Sequence, residues 1–281
     1  MCDADHGGRT RTLAGSAAAG RKMSGSMRGL AGRAALVTGA ARGLGASIGR
    51  LLHREGAQVM LADVRDADGR ALAAALGERA HYVHLDVGSE ADWAAAITAT
   101  HERCGALRIL VNNAAIYRTR ASLELSAAEY LEIVRINQLG VFLGMRACIP
   151  VMREAGGGSI INIASTAGIE GVPQALAYTA SKHAVVGMTR AAALEFGGCG
   201  VRINAVCPGA MLTPLLAESF NVSLEALGAA PFPNAALGRM GDPMEIAPIV
   251  VFLASDESSY TTGSAFVVDG GLTAGVPMRQ S

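Results

Sequence analysis

Ala34-Ala35-Leu36-Val37-Thr38-Gly39-Ala40-Ala41-Arg42-Gly43-Leu44-Gly45 is the stretch on which the fold turns. The apolar run Ala34–Val37 has the length and the bounded ends of a buried strand. It passes directly into a glycine-rich turn and then into a helical segment near 44–55. Glycine lets the chain turn sharply and lets backbone approach a ligand where a Cβ would collide. A helix starting just beyond presents free N–H groups and the positive end of its dipole to a pyrophosphate. A glycine-rich string alone marks many surface turns. Set between a strand and a helix that open a β-α-β unit, it predicts a dinucleotide cradle.

The same alternation continues outward. Further strands are expected at Gln58–Asp63, Tyr82–Leu85, Ile109–Asn112, Ser159–Ile163, Arg202–Val206 and Ala265–Val268, with helices near 67–76, 90–103, 126–153, 177–195 and 243–254. Strands alternating with helices imply β-α-β units and a parallel sheet covered on both faces. The expectation is an α/β fold: a single doubly wound Rossmann domain with a seven-stranded parallel sheet flanked by helices. Residues 1–30 (MCDADHGGRTRTLAGSAAAGRKMSGSMRGL) lack hydrophobic periodicity and read as a disordered extension, leaving 31–281 as the catalytic domain. Helices 126–153 and 177–195 carry apolar residues all the way round, which points to burial on more than one face, against another subunit.

Bulk composition narrows the partners. Lys+Arg and Asp+Glu balance at 24 each, so nothing favours nucleic acid, and a small molecule is expected. The five cysteines form no C-x-x-C pair, which gives neither a zinc pattern nor a disulfide framework and fits a reducing cytoplasm. No apolar run approaches the ~20 residues of a membrane span.

Candidate chemistry gathers at strand ends. Asp63 closes the second strand within the ~20 residues expected of a ribose reader. Its carboxylate can accept hydroxyl hydrogen bonds and repel the 2′-phosphate of NADP, so NAD is the expected cofactor. Arg42 and Arg65 stand against that preference, since either is able to pair with such a phosphate. Asp86 follows the third strand where adenine would pass, and Asn112-Asn113-Ala114-Ala115 closes the fourth. Tyr178 and Lys182 lie at i and i+4 on one helix face. A free tyrosine near pKa ~10 is protonated at neutral pH, and a nearby ammonium favours the phenolate that proton transfer to or from an alcohol needs. Ser165 follows the fifth strand, with a hydroxyl able to hold the substrate oxygen. Asn137 sits in a helical run that does not favour asparagine. Pro208-Gly209 leads to Thr213, whose hydroxyl is expected to meet a nicotinamide amide.

Taken together, Thr38-Gly39-x3-Gly43-x-Gly45, Asn112-Asn113-Ala114, Asn137, Ser165, Tyr178-x3-Lys182, Pro208-Gly209 and Asp269-Gly270-Gly271 resemble the short-chain dehydrogenase/reductase family over residues 32–272. The resemblance implies Tyr178 as general acid/base, with Lys182 lowering its pKa and binding the nicotinamide ribose. It implies Ser165 as the group orienting the carbonyl and Asn137 as the holder of a relay water. It also implies cofactor contacts from Gly39, Arg42, Gly43, Leu44, Gly45, Asp63, Asp86, Val87, Asn113, Pro208, Gly209, Met211 and Thr213, and a homotetramer built on the two apolar helices. Ala40–Gly45, Leu61–Val64, His84–Val87 and Ala155–Ile160 are similar to bacterial 3-alpha/20-beta-hydroxysteroid dehydrogenases. Ala115 departs from the family's glycine after Asn-Asn-Ala.

Substrate choice is expected in an apolar lid at about 210–240, rich in Leu, Met and Phe. Such a lid suits a hydrophobic alcohol or ketone, such as a hydroxysteroid. The alternatives are a terpenoid, quinone-like or polyol substrate, and, more remotely, a dinucleotide-binding regulator without turnover.

Overall fold

The computed structural model describes residues 29–276. Strands β1 (Ala34–Thr38), β2 (Gln58–Asp63), β3 (Ala80–His84), β4 (Leu107–Asn112), β5 (Gly158–Ile163), β6 (Val201–Pro208) and β7 (Ala265–Val268) make one sheet in the order β3-β2-β1-β4-β5-β6-β7. Every pairing is parallel. Between them run α1 (Gly43–Arg54), α2 (Asp66–Leu76), α3 (Glu90–Cys104), α4 (Ala127–Val134), α5 (Gly140–Glu154), α6 (Leu176–Phe196), α7 (Pro214–Ser219), α8 (Leu224–Ala229) and α9 (Pro243–Ala254). This is the expected doubly wound α/β architecture.

Alternation along the strands divides the core in two, because successive side chains leave opposite faces of a sheet. Leu36, Met60, Leu110, Ile160 and Ile203 pack with Trp93 of α3 and with α5 and α6. Ala35, Val37, Val59, Leu61 and Ile109 pack on the other face with α1 and α9. Both faces being covered, the strands are mostly apolar, β1 most completely, while β5 and β6 also bury Ser159, Asn162 and Asn204. Strand order reverses between β1 and β4, which opens the crevice where such sheets bind ligands.

Several boundaries differ from the sequence expectation. The third strand begins and ends earlier, at Ala80–His84, so Leu85 and Asp86 lie in the turn beyond it. The helix expected over 126–153 is broken into α4, a π turn over Arg135–Leu139 and α5. At the break, the Gly140 N–H bonds the Arg135 carbonyl five residues back, a one-residue bulge of the kind common at functional sites. A capping box of Ser126 and Glu129 starts α4, and another of Asp242 and Glu245 starts α9. The segment expected as a lid, about 210–240, contains α7 and α8.

Helix α6 buries a single stripe within the chain, formed by Ala177, Ser181, Lys182, Val185, Val186, Thr189 and Ala193. Leu176 and Leu194 of α6 point outward, as do Leu131 of α4 and Phe142 of α5. The extension expected at 1–30 lies, up to residue 28, outside the described residues, whereas Leu30 is fully buried. The folded unit therefore includes Leu30.

Candidate active site

The carboxyl ends of β1, β2, β4, β5 and β6 face one cavity of about 640 Å³. It is lined by Ser165, Tyr178, Lys182 and every residue expected to touch the cofactor, whereas Asn137 is not on its wall.

At one end is the glycine turn. Gly39 and Gly43 have φ of 61° and 55°, in the left-handed region that favours glycine. A Cβ on Gly39 would come within 2.7 Å of the Ala114 backbone, and one on Gly45 would strike the Gly39 carbonyl. The turn is thus held tight against the end of β4. Thr38 and Asn113 hold it there. The Thr38 hydroxyl accepts from the Asn113 and Ala114 N–H groups at 3.0 and 3.1 Å. The Asn113 side-chain amide donates to the Thr38 and Gly39 carbonyls at 2.9 and 3.1 Å. The side chain of Asn113 is therefore committed to shaping the cradle. Ala115, where the resemblance expects glycine, carries no positive φ, so its methyl is accommodated without backbone strain.

Asp63 ends β2 nearly buried beside this turn. Its two oxygens accept from the Ala41 N–H at 2.9 Å and the Arg65 N–H at 3.0 Å. Those bonds orient the carboxylate and leave lone pairs for a diol. The two arginines nearby are each paired. Arg42 forms a two-armed ion pair with Glu218 of α7, and Arg65 Nε lies 3.5 Å from Asp68. Asp86 accepts from Arg135 at 2.9 Å and from the Gly88 N–H at 2.9 Å. The Val87 carbonyl is fixed by the Trp93 indole N–H at 2.9 Å.

The other end holds Ser165, Tyr178 and Lys182. Lys182 is almost completely buried, and its ammonium donates to the Ile163 carbonyl at 2.8 Å. Its Nζ lies 5.6 Å from the Tyr178 ring centre. Burial pulls the Lys182 amine down to about 8. Burial pushes the Tyr178 phenol up to about 12, although its hydrogen bond with Ser165 acts in the opposite sense. The resemblance implies a tyrosine lowered by its lysine. Here the loss of hydration dominates, Tyr117 adds to it, and the net displacement is upward. Tyr117 packs edge-on against Tyr178 with ring centres 4.6 Å apart. The Ser165 hydroxyl also accepts the Ala167 N–H at 3.1 Å, which sets its rotamer.

Asn137 lies in the π turn behind this group and is fully buried. Its side chain accepts the Ile116 N–H at 2.8 Å and donates to the Ile116 carbonyl at 2.9 Å. It ties the chain beyond β4 to the helix rather than lining the cavity. Thr213 caps α7, accepting the Leu216 N–H at 3.3 Å, so that bond fixes the start of this helix. Close packing of Gly209 against Asp269, where a Cβ would come within 2.8 Å, seats the Pro208-Gly209 turn beside β7.

Sequence reading missed Tyr117, Arg135 and Glu218. Tyr117 lies five residues beyond Asn112 and was within reach of a motif reading; the other two act through long-range pairings that carry no local signal.

The pieces suit a dinucleotide: glycines where a Cβ would collide, an oriented carboxylate 22 positions from the Ala41 amide that holds it, and a tyrosine and lysine in the same cavity. A family model described as enoyl-(acyl carrier protein) reductase matches residues 39–273. A 3-alpha-(or 20-beta)-hydroxysteroid dehydrogenase of Mycobacterium bovis is 45% identical over 247 residues, covering 88% of this chain and 92% of the relative. A trans-4-hydroxycyclohexanecarboxylate dehydrogenase of Sinomonas cyclohexanicum is 42% identical, covering 89% of this chain and 96% of the relative. A cyclopentanol dehydrogenase of Comamonas testosteroni is 41% identical, covering 85% and 96%. With these motifs in register along one doubly wound sheet, the chain belongs to the short-chain dehydrogenase/reductase family of oxidoreductases.

Proposed function

We propose that this protein is an NAD-dependent oxidoreductase interconverting a secondary alcohol and a ketone on a hydrophobic, ring-shaped substrate such as a hydroxysteroid. The observation that carries this reading is the shared cavity, with the glycine turn and Asp63 at one end and Ser165, Tyr178 and Lys182 at the other.

A nicotinamide cofactor, when bound, supplies hydride acceptance or donation. The chain handles position and proton. Tyr178 gives a proton to the ketone oxygen or takes one from the carbinol, and Ser165 holds that oxygen beside it. Lys182, fixed on the Ile163 carbonyl, places a positive charge over the tyrosine ring and offers its remaining protons to a ribose. Asn137 supports the site as a brace between Ile116 and the π turn. The substrate end is apolar, with Tyr117, Val172, Leu215, Phe220, Phe232 and Met240 on its wall, which favours a hydrocarbon ring over a polyol.

Asp63 supports NAD over NADP, because a 2′-phosphate would meet a nearly buried carboxylate while Arg42 and Arg65 already hold anions. The relatives are named for hydroxysteroid, hydroxycyclohexanecarboxylate and cyclopentanol substrates, all alcohols on cyclic carbon frames, which supports a substrate of that class. Outward apolar side chains on α4, α5 and α6 support a homotetramer in which those faces meet other copies. Among the described residues no helix is long and apolar enough to cross a membrane.

The test is the absorbance of reduced nicotinamide followed with NADH and with NADPH across steroid ketones, terpenones and polyol-derived ketoses. Turnover with NADH on steroid or terpenoid rings is expected. A clear preference for polyols would defeat the apolar-wall argument, and turnover with NADPH alone would defeat the role of Asp63.

A further inference from the structure

The ion pair between Arg42 and Glu218 joins two parts of the chain that have separate tasks. Arg42 is the residue before α1, in the glycine turn, and it lines the cofactor end of the cavity. Glu218 belongs to α7, in the substrate lid. Both guanidinium arms of Arg42 are engaged, the second at 2.8 Å from Glu218 Oε2. Each partner shifts toward its charged form, mainly through that hydrogen bond, so the pair is ionised across the neutral range. Planar, two-armed pairing of this kind is also how arginine grips a phosphate.

Arg42 is placed to meet a phosphate on the adenosine ribose. The neighbouring Ala41 N–H bonds Asp63, and the Arg42 guanidinium lies in the field of both Asp63 and Asp68. A 2′-phosphate bound at Asp63 would therefore find this guanidinium beside it, were the two arms free.

We infer that Glu218 is a cofactor-selecting residue: it occupies the Arg42 guanidinium from the lid and so denies it to the 2′-phosphate of NADP. The inference rests on the NAD reading above and adds a second element to it. Asp63 repels the extra phosphate, and Glu218 removes the cation that would reward it. Selection against NADP is thereby shared between the sheet edge and the lid, which links the choice of cofactor to the position of α7.

The variants are Glu218→Gln, which keeps the shape and frees the guanidinium, and Glu218→Asp, which keeps the charge. The side chains are 34% and 58% exposed, so neither change threatens the core. Dissociation constants for NADH and NADPH are measured by calorimetry, without substrate, for wild type, both variants and the double variant Glu218→Gln/Arg42→Ala. Freeing the arginine should tighten NADPH on the order of tenfold, about 1.4 kcal/mol, and change NADH by less than about threefold. Glu218→Asp should behave as wild type, and the double variant should lose the gain. NADPH affinity unchanged in Glu218→Gln, or a gain that survives loss of Arg42, would overturn the inference. Wild type that binds NADPH more tightly than NADH would instead overturn the NAD reading, a different result from a Glu218→Gln variant without effect.

Discussion

Lys182 and Tyr178 are ionisable groups inside one cavity, and burial moves them in opposite directions. The lysine's ordinary value of 10.5 falls to about 8 in the native protein, while the tyrosine's 10.0 rises to about 12. Between pH 8 and 10 an unfolded chain keeps the lysine proton that the native chain has released, so this residue makes stability rise with pH in that window. Below about 8 both states are protonated and the cost of burying the ammonium is constant. The tyrosine's contribution is complete below its ordinary 10.0 and is lost only as pH climbs through about 12, so it leaves the window to the lysine. Urea unfolding of wild type and Lys182→Met near pH 8 and near pH 10 checks this. Relative to the variant, wild type should gain stability at the higher pH; a constant difference would mean that the amine is not displaced. The pair itself was legible as an i, i+4 spacing, and the cavity end to which it belongs was legible from Ser165. The direction of the tyrosine's displacement was not, because it depends on how completely the folded chain removes water from the ring.

At the scale of elements, the glycine turn and the strands around it were readable because their signals are local: an apolar run, glycines at fixed spacing, a helix beginning at once. Gly45→Ala tests why glycine is needed. A methyl there would strike the Gly39 carbonyl and come within 2.5 Å of the Asn113 side-chain nitrogen that pins the turn. Cofactor affinity measured by calorimetry should fall by at least about tenfold, and the overpacking should also lower stability by about 1–3 kcal/mol. A variant with wild-type affinity would show that the turn does not need this close approach. The break of the long helix into α4, a π turn and α5 escaped the sequence, since Arg135–Leu139 continues a helical apolar pattern. What distinguishes it is Asn137, whose side chain bonds Ile116 of a segment 21 residues away. Only the unusual asparagine hinted at that long-range tie. Asp86 shows the same limit, because the strand expected to end at Leu85 ends at His84 and the carboxylate is paired with Arg135.

For the whole molecule, the doubly wound sheet was legible from alternation alone, while the proposed assembly rests on apolar helix surface that one chain leaves exposed. Within one chain, Leu131 and Phe142 stay 61% and 44% exposed, and Leu194 is 90% exposed. Those exposed faces are the surface that the proposed assembly would bury. Phe142→Arg should lower the mass seen by light scattering from a tetramer toward a smaller species, while far-ultraviolet dichroism stays unchanged; an unaltered mass would remove that face from the interface. The lid belongs to this scale as well, because α7 reaches back to the glycine turn through Glu218. The central claim, that Tyr178 moves the proton at a site built for NAD and a ring carbinol, is tested most directly by Tyr178→Phe. NADH binding by calorimetry and turnover of a steroid ketone are measured on the same preparation. The expected result is binding close to wild type with turnover reduced by roughly 10²–10⁴-fold. Turnover near the wild-type rate with binding intact would contradict the assignment of Tyr178 and, with it, the mechanism.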